Sequence, residues 1–232
     1  MLNENFEIFL NCENVETVKK YMDMYPSLAG VTTNPVMISR LKRTDYFTIL
    51  KELRAAIGNR KLFTQVTSKN SDDITEEVYR IRDVAGENTI VKIPAMEFGI
   101  RAIYELSQKG IRTCATLCCS TIQGVMALDA GASYAVPFHF HMQDFGLDPV
   151  SVTRELVEYT RVSGKGKIMG AAHRTIEEFG YCMGQGVQAF TLNPDFITEG
   201  MTNACVTKNL GDFLGGWESV FGEGTRILDL EK

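Results

Sequence analysis

Short runs of apolar and β-branched residues recur along the chain, separated by stretches in which apolar positions return every three or four residues. The runs are FEIFLN (6–11), AGVTTN (29–34), KLFTQV (61–66), TIVKIP (89–94), RTCATL (112–117), ASYAVPF (132–138), KIMGAA (167–172) and AFTLN (189–193). Their length and composition predict strands, and their near-continuous apolar character predicts burial on both faces, as in a parallel sheet. The stretches between them predict helices; Val15, Val18, Met22 and Tyr25, for example, place one apolar stripe against a sheet. Asn34 before Pro35, Asp148 before Pro149 and Asn193 before Pro194 each set a capping side chain ahead of a proline suited to the first helical position.

Eight strands alternating with helices, with no long insert to form a second layer, predict an α/β fold: a single (β/α)8 TIM barrel domain over 1–232. The segment from Thr202 to Phe221 is surplus to eight units and predicts an extra C-terminal helix. It carries the only tryptophan, Trp217, which suits packing across a neighbouring subunit.

Composition narrows the range of functions. Lys and Arg total 24 against 29 Asp and Glu, a net charge of −5, and no basic run offers a surface to nucleic acid. The start, MLNENFEIFL, has neither the basic nor the apolar segment of a leader, and no stretch approaches the roughly 20 apolar residues of a membrane span. The expectation is a cytoplasmic protein without a membrane partner. Neither the six cysteines nor the three histidines have the spacing of a zinc site, so the cysteines read as small hydrophobes.

In a barrel of this kind the active site forms at the carboxyl ends of the strands. The polar residues expected there are Asn11, Thr33, Asn34, Gln65, Lys92, Thr116, His139, His141, His173, Arg174 and Asn193. Lys92 stands out, because Ile90, Val91, Ile93 and Pro94 surround it, whereas Lys61 and Lys167 begin their strands. Burial disfavours the ammonium form and leaves a nucleophilic neutral amine, which imine formation with a carbonyl requires. The competing reading is a lysine that snorkels to the rim and pairs with an acid such as Glu97. Spacing alone leaves both open. His139 reads as a rim residue facing away from the barrel axis, Gly164 and Gly166 as an ordinary turn before the seventh strand, and Cys118 and Cys119 as packing residues.

VTTNP (31–35), FTQV (63–66), IVKIP (90–94) and the WESVFGEG tail, in this order and spacing, resemble the small transaldolases and fructose-6-phosphate aldolases. The resemblance covers essentially the whole chain. It implies a class I aldolase in which Lys92 forms a Schiff base with a ketose and C3–C4 cleavage leaves a dihydroxyacetone unit. Transaldolases pass that unit to an aldose phosphate acceptor and aldolases release it; neither uses a metal or other cofactor. It also implies a homo-oligomer, a pentamer or decamer, with the last helix crossing between subunits.

Carried over by resemblance, Asn34, with Thr33 beside it, binds the dihydroxyacetone hydroxyls, Thr116 holds the catalytic water, Gln65 matches the aldolase branch, and Phe138 takes the place of a tyrosine or phenylalanine. Three positions depart from the family pattern. Asn11 replaces an acidic residue, a phosphate-binding arginine falls on or near His141, and Ala171, Ala172, His173 and Arg174 stand where the family reads close to A-S-F-K or A-S-F-R, so that a phosphate-binding serine is absent while Arg174 remains. Asparagine holds a hydroxyl but takes no proton. His141, His173 and Arg174 are therefore expected to form a smaller, pH-sensitive site for an anionic tail, phosphate or sulfonate. The alternative from another class is a catalytically weakened barrel that binds a sugar as a sensor or regulatory protein.

Overall fold

The computed structural model describes residues 6–230. The stretch read above for a leader lies partly outside them. Eight parallel strands, β1 (Glu7–Asn11), β2 (Gly30–Thr32), β3 (Lys61–Gln65), β4 (Thr89–Pro94), β5 (Thr113–Cys118), β6 (Tyr134–Pro137), β7 (Lys167–Gly170) and β8 (Ala189–Leu192), pair in chain order. β8 also pairs with β1, from Glu7 beside Ala189 to Leu10 beside Leu192, and this closes the barrel. The (β/α)8 fold and the extra C-terminal helix are as expected, and each strand lies within one residue of its predicted run.

The helices are α1 (Val15–Met24), α2 (Pro35–Arg40), α3 (Tyr46–Ile57), α4 (Ser71–Ala85), α5 (Glu97–Ser107), α6 (Thr121–Asp129), α7 (His139–Asp144), α8 (Pro149–Ser163), α9 (Ile176–Gly184), α10 (Pro194–Met201) and α11 (Ala204–Phe221). Two crossovers are longer than the hydrophobic pattern suggested: β2 reaches β3 through α2 and α3, and β6 reaches β7 through α7 and α8. The capping expectations hold at two sites. Asn34 Oδ1 accepts from the Met37 N–H at 2.9 Å, and Asp148 Oδ1 accepts from Val150 and Ser151 at 3.0 and 3.1 Å.

The core has two layers. Inside the barrel, Phe9, Phe63, Ile90, Cys114, Tyr134, Val136 and Met169 form one buried cluster. Outside it, Ile49, Leu53, Ile74, Val78, Ile103 and Leu156 of the helices are fully buried around the wall. Each such side chain removed from water stabilises the fold by about 1.5–3 kcal/mol. Helix α5 sits so close to β4 that a Cβ on Gly99 would lie 1.9 Å from the Pro94 carbonyl oxygen; glycine permits that approach directly behind the Lys92 strand.

At the amino-terminal end of the barrel, Glu7 accepts hydrogen bonds from Lys61, from Lys167 at 2.9 Å and from the Tyr134 hydroxyl at 2.7 Å. The contacts divide the chain into two compact units, Met1–Pro194 and Asp195–Lys232. The first holds all eight strands. The second holds α11, on which Val206, Leu210, Phe213 and Leu214 make an exposed apolar stripe at helical spacing. Within that unit Trp217 stacks on Phe221 with centroids 4.1 Å apart and donates to the Thr225 carbonyl at 2.6 Å. No helix among the described residues is long and apolar enough to cross a membrane.

Candidate active site

Successive side chains of a strand point to opposite faces, so the interior residues Phe9, Phe63, Ile90, Cys114 and Val136 carry Asn11, Gln65, Lys92, Thr116 and Phe138 two positions further along on the same inner face. The register agrees, because Lys92 lies beside Gln65 on β3 and beside Cys114 on β5. Phe138, just past the end of β6, packs on the interior cluster from above. These five residues are brought together at the carboxyl end of the barrel.

Lys92 is 8% exposed and has neither an ion pair nor a side-chain hydrogen bond among the described residues. The pairing with Glu97 does not form; Glu97 stands exposed in the first turn of α5. Burial pulls the Lys92 pKa down, and the neighbouring Cys114 thiol opposes this without reversing it. That thiol is itself pushed up to about 12 by burial and stays protonated. The Thr116 hydroxyl is fully buried and has no partner among the described residues. A buried hydroxyl in that condition calls for a water or a ligand.

Asn11 is the centre of a chain of hydrogen bonds across the barrel mouth. Its Nδ2 donates to Asn193 Oδ1 at 2.7 Å, its Oδ1 accepts from the Thr32 hydroxyl at 2.9 Å, and Thr32 in turn bonds the Thr191 hydroxyl. Thr32 and Thr191 escaped the sequence reading, because threonine is an ordinary strand residue; their parity with Asn34 and Asn193 was the usable signal. Thr33 faces the other way, fully buried, with its hydroxyl donating to the Phe63 carbonyl at 3.0 Å. It therefore supports the wall and leaves its neighbour Asn34 at the mouth. Asn34 spends its side-chain oxygen on the helix cap, which leaves its amide NH2 as the group available to a ligand.

Alternation places Ala171 inside the barrel and would carry His173 there too, but Ala172 adopts a left-handed φ of 59° and breaks it. His173 instead packs on the outside of the wall against Phe190 and Phe179, with both ring nitrogens buried and without a hydrogen-bond partner among the described residues. Burial, with His139 nearby, pushes its pKa down to about 4, so it is neutral at pH 7. The expectation of a protonatable His173 in the tail pocket is thus corrected on both position and charge. His139 does face away from the axis, but it is buried between helices, with Nδ1 at 3.4 Å from Thr153 of α8 and 3.8 Å from Cys182 of α9. His141 is exposed and stacks on Phe138, centroids 4.9 Å apart. Arg174 is exposed and pairs with Asp144 of α7 at 3.1 Å.

The family model of the transaldolases and fructose-6-phosphate aldolases, "Transaldolase/Fructose-6-phosphate aldolase", matches residues 8–218. The chain belongs to this family. It is 30% identical over 213 residues to a "Probable fructose-6-phosphate aldolase" of Streptococcus pneumoniae, covering 91% of this chain and 96% of that one. It is 33% identical over 217 residues to a "Probable transaldolase" of Streptococcus equi subsp. equi, covering 92% and 98%. Among solved structures, the carboxyl transferase domain of Rhizobium etli pyruvate carboxylase with pyruvate superposes with a TM-score of 0.62 at 13% identity, over 83% of this chain and 40% of that one. The present chain thus spans less than half of that protein, and the likeness shows the barrel fold alone.

As a member of the transaldolase/fructose-6-phosphate aldolase family the protein is an enzyme of the aldolase or transaldolase kind. The mouth is consistent in one electrostatic respect: Asn11, Thr32, Gln65, Thr116, Phe138 and Thr191, which share the inner face with Lys92, include no carboxylate to hold the lysine in its charged form. Among the described residues no three His, Cys, Asp or Glu side chains are grouped to hold a metal ion.

Proposed function

We propose that this enzyme cleaves a ketose between C3 and C4 through a Schiff base on Lys92, then transfers or releases the dihydroxyacetone unit. The observation that carries the reading is the buried Lys92, unpaired in a mouth of neutral side chains, whose lowered pKa raises the fraction of neutral amine near pH 7. The Nζ lone pair attacks the C2 carbonyl, and loss of water gives the iminium. The C3–C4 electrons then flow into that sink while the C4 hydroxyl gives up its proton, so an aldehyde leaves and an enamine of dihydroxyacetone stays on Lys92. Protonation at C3 and hydrolysis complete an aldolase cycle; attack of C3 on the aldehyde of an aldose phosphate, protonation of the resulting alkoxide and hydrolysis of the new iminium complete a transaldolase cycle.

Each mouth residue has a part that its chemistry suits. The unpartnered Thr116 hydroxyl holds the water that carries protons, with Gln65 beside Lys92 to orient it. The free amide of Asn34 donates to the dihydroxyacetone hydroxyls, and Phe138 forms the apolar wall. Asn11, fixed by Thr32 and Asn193, orients a water or hydroxyl but takes no proton itself, so the proton from C4 passes to water. His141 of α7, and Arg174, which pairs with Asp144 three residues further along the same helix, supply the contacts for a phosphate or sulfonate tail, with Arg174 exchanging Asp144 for the anion; an exposed pair of this kind costs little to open. The exposed stripe on α11 supports a homo-oligomer, a pentamer or decamer as the family resemblance implies.

The test is a panel of phosphorylated, sulfonated and unsubstituted ketoses, assayed with and without an aldose phosphate, on the wild-type enzyme and Lys92→Met. Turnover of an anionic ketose that vanishes in the variant is expected. Turnover that survives in Lys92→Met would overturn the mechanism.

A further inference from the structure

The amino-terminal end of the barrel, opposite Lys92, holds a cavity of about 490 Å3 that no step of the proposed reaction uses. Lys61 and Lys167 enter it from the first residues of β3 and β7, Arg112 from just before β5, and Lys165 from the turn ahead of β7. Against these four cations stand, among the described residues, two carboxylates, Asp129 in the lining and Glu7 behind it. The local balance is 4 − 2 = +2, opposite in sign to the whole chain's −5.

A structural plug alone does not need that excess. Glu7 serves two lysines at once, Lys61 and Lys167, whose side chains are only about a quarter exposed. One carboxylate leaves one of these half-buried cations uncompensated, a cost that a third, anionic partner removes. Burial works against the Glu7 charge, but the hydrogen bonds from Lys61, Tyr134 and Lys167 outweigh it and hold its pKa down, so protonation does not correct the balance in the other direction. Arg112 adds a second free charge. Its guanidinium makes one hydrogen bond, to Asn88 Oδ1 at 3.0 Å, and has no carboxylate partner among the described residues, which leaves donors in the fork geometry that suits phosphate. Lys165 pairs with Asp129 at the exposed rim, where the pair opens at little cost.

We propose that this cavity is a binding site for a small phosphate-bearing dianion, separate from the catalytic mouth, with Arg112, Lys61 and Lys167 as its anchors. The volume lies in the range of small-molecule sites, and a charge of −2 neutralises the local excess. The site stands whether or not the Schiff-base reading holds, since it shares no residue with it.

Calorimetric titration of inorganic phosphate into the full-length protein, in a buffer free of other multivalent anions, tests the assignment on three proteins: wild type, Arg112→Gln and Arg174→Gln. The expected result is saturable binding that weakens about tenfold or more in Arg112→Gln and is unchanged in Arg174→Gln, with a phosphate-dependent rise in melting temperature lost in the same variant. Arg112→Gln should retain wild-type turnover in the absence of phosphate. Should that variant fail to fold, Arg112→Lys, which keeps the charge and loses the fork of donors, gives the comparison, with binding weakened several-fold. No saturable binding to the wild type, or binding weakened by Arg174→Gln instead, would overturn the proposal.

Discussion

Thr116→Val separates the needs of the fold from those of the reaction. Thr116 is fully buried on the inner face of β5 and its hydroxyl has no partner among the described residues. A buried hydroxyl without a protein partner costs about 1–3 kcal/mol, or up to about 2 kcal/mol where it must immobilise a water, and valine has nearly the same shape without that group. The variant should therefore be more stable by about 1–2 kcal/mol, which for a chain of this size raises the melting temperature by roughly 2–8 °C. Activity should move the other way, because removing the group that holds a proton-carrying water forfeits a contribution of about 100- to 10,000-fold. Thr113 is the internal control. It sits at the start of the same strand, equally buried and also unpartnered, but on the face turned away from the interior. Thr113→Val should show the stability gain with turnover intact. Differential scanning calorimetry and aldol cleavage assays on the two variants decide the matter. A Thr116→Val enzyme that keeps turnover within a fewfold of wild type would refute the role of the hydroxyl, and one that melts lower while Thr113→Val melts higher would refute the desolvation argument.

Two further variants test the neighbourhood. Asn11→Asp removes the donor that Asn193 accepts and places a negative charge at the mouth, which favours protonated Lys92; cleavage at pH 7 should fall about tenfold or more and the pH optimum should move up, whereas a rate gain on fructose 6-phosphate would show that Asn11 impairs a proton relay. His173 has a folded pKa of about 4, below its ordinary 6.5, so the unfolded chain takes up the proton first and stability is lost as pH falls from about 6.5 towards 4. The loss amounts to about 3 kcal/mol by the end of that window. His173→Phe should flatten this acid slope in thermal melts, and an unchanged slope would contradict the burial argument.

The fold was legible because each strand carries apolar side chains on both faces, so eight runs stand out against helices with a single stripe. Lys92 was legible as a candidate for a related reason: a charge inside an apolar run on β4 conflicts with local pattern, and such conflicts are where functional or strained sites are expected. Asn11, Gln65 and Thr116 were expected from their place at the carboxyl ends of strands and Phe138 from the family resemblance, and strand parity in the barrel sets all four on the inner face. Parity failed at His173, where the left-handed backbone at Ala172, a conformation that alanine seldom adopts, turned the imidazole to the outer layer. No feature of the string KIMGAAHR announces it. Thr33 was misplaced by one position for the opposite reason: in VTTNP two threonines stand side by side, and only the register shows that Thr32 faces inward and bonds Asn11. The extra helices of two crossovers escaped notice because α2 and α7 are only six residues long, too short to show a period of their own beside α3 and α8.

The central claim is that Lys92 forms the imine, and reductive trapping addresses it without requiring the natural substrate. Wild-type enzyme incubated with dihydroxyacetone and sodium borohydride should acquire one covalent adduct, because only an imine is reduced to a stable secondary amine under these conditions. Peptide mass mapping should place it on the segment containing IVKIP, at Lys92, with Lys61 and Lys167 at the other end of the barrel unmodified. An adduct on a different lysine, or an unmodified Lys92 in an enzyme that turns over a ketose, would contradict the account.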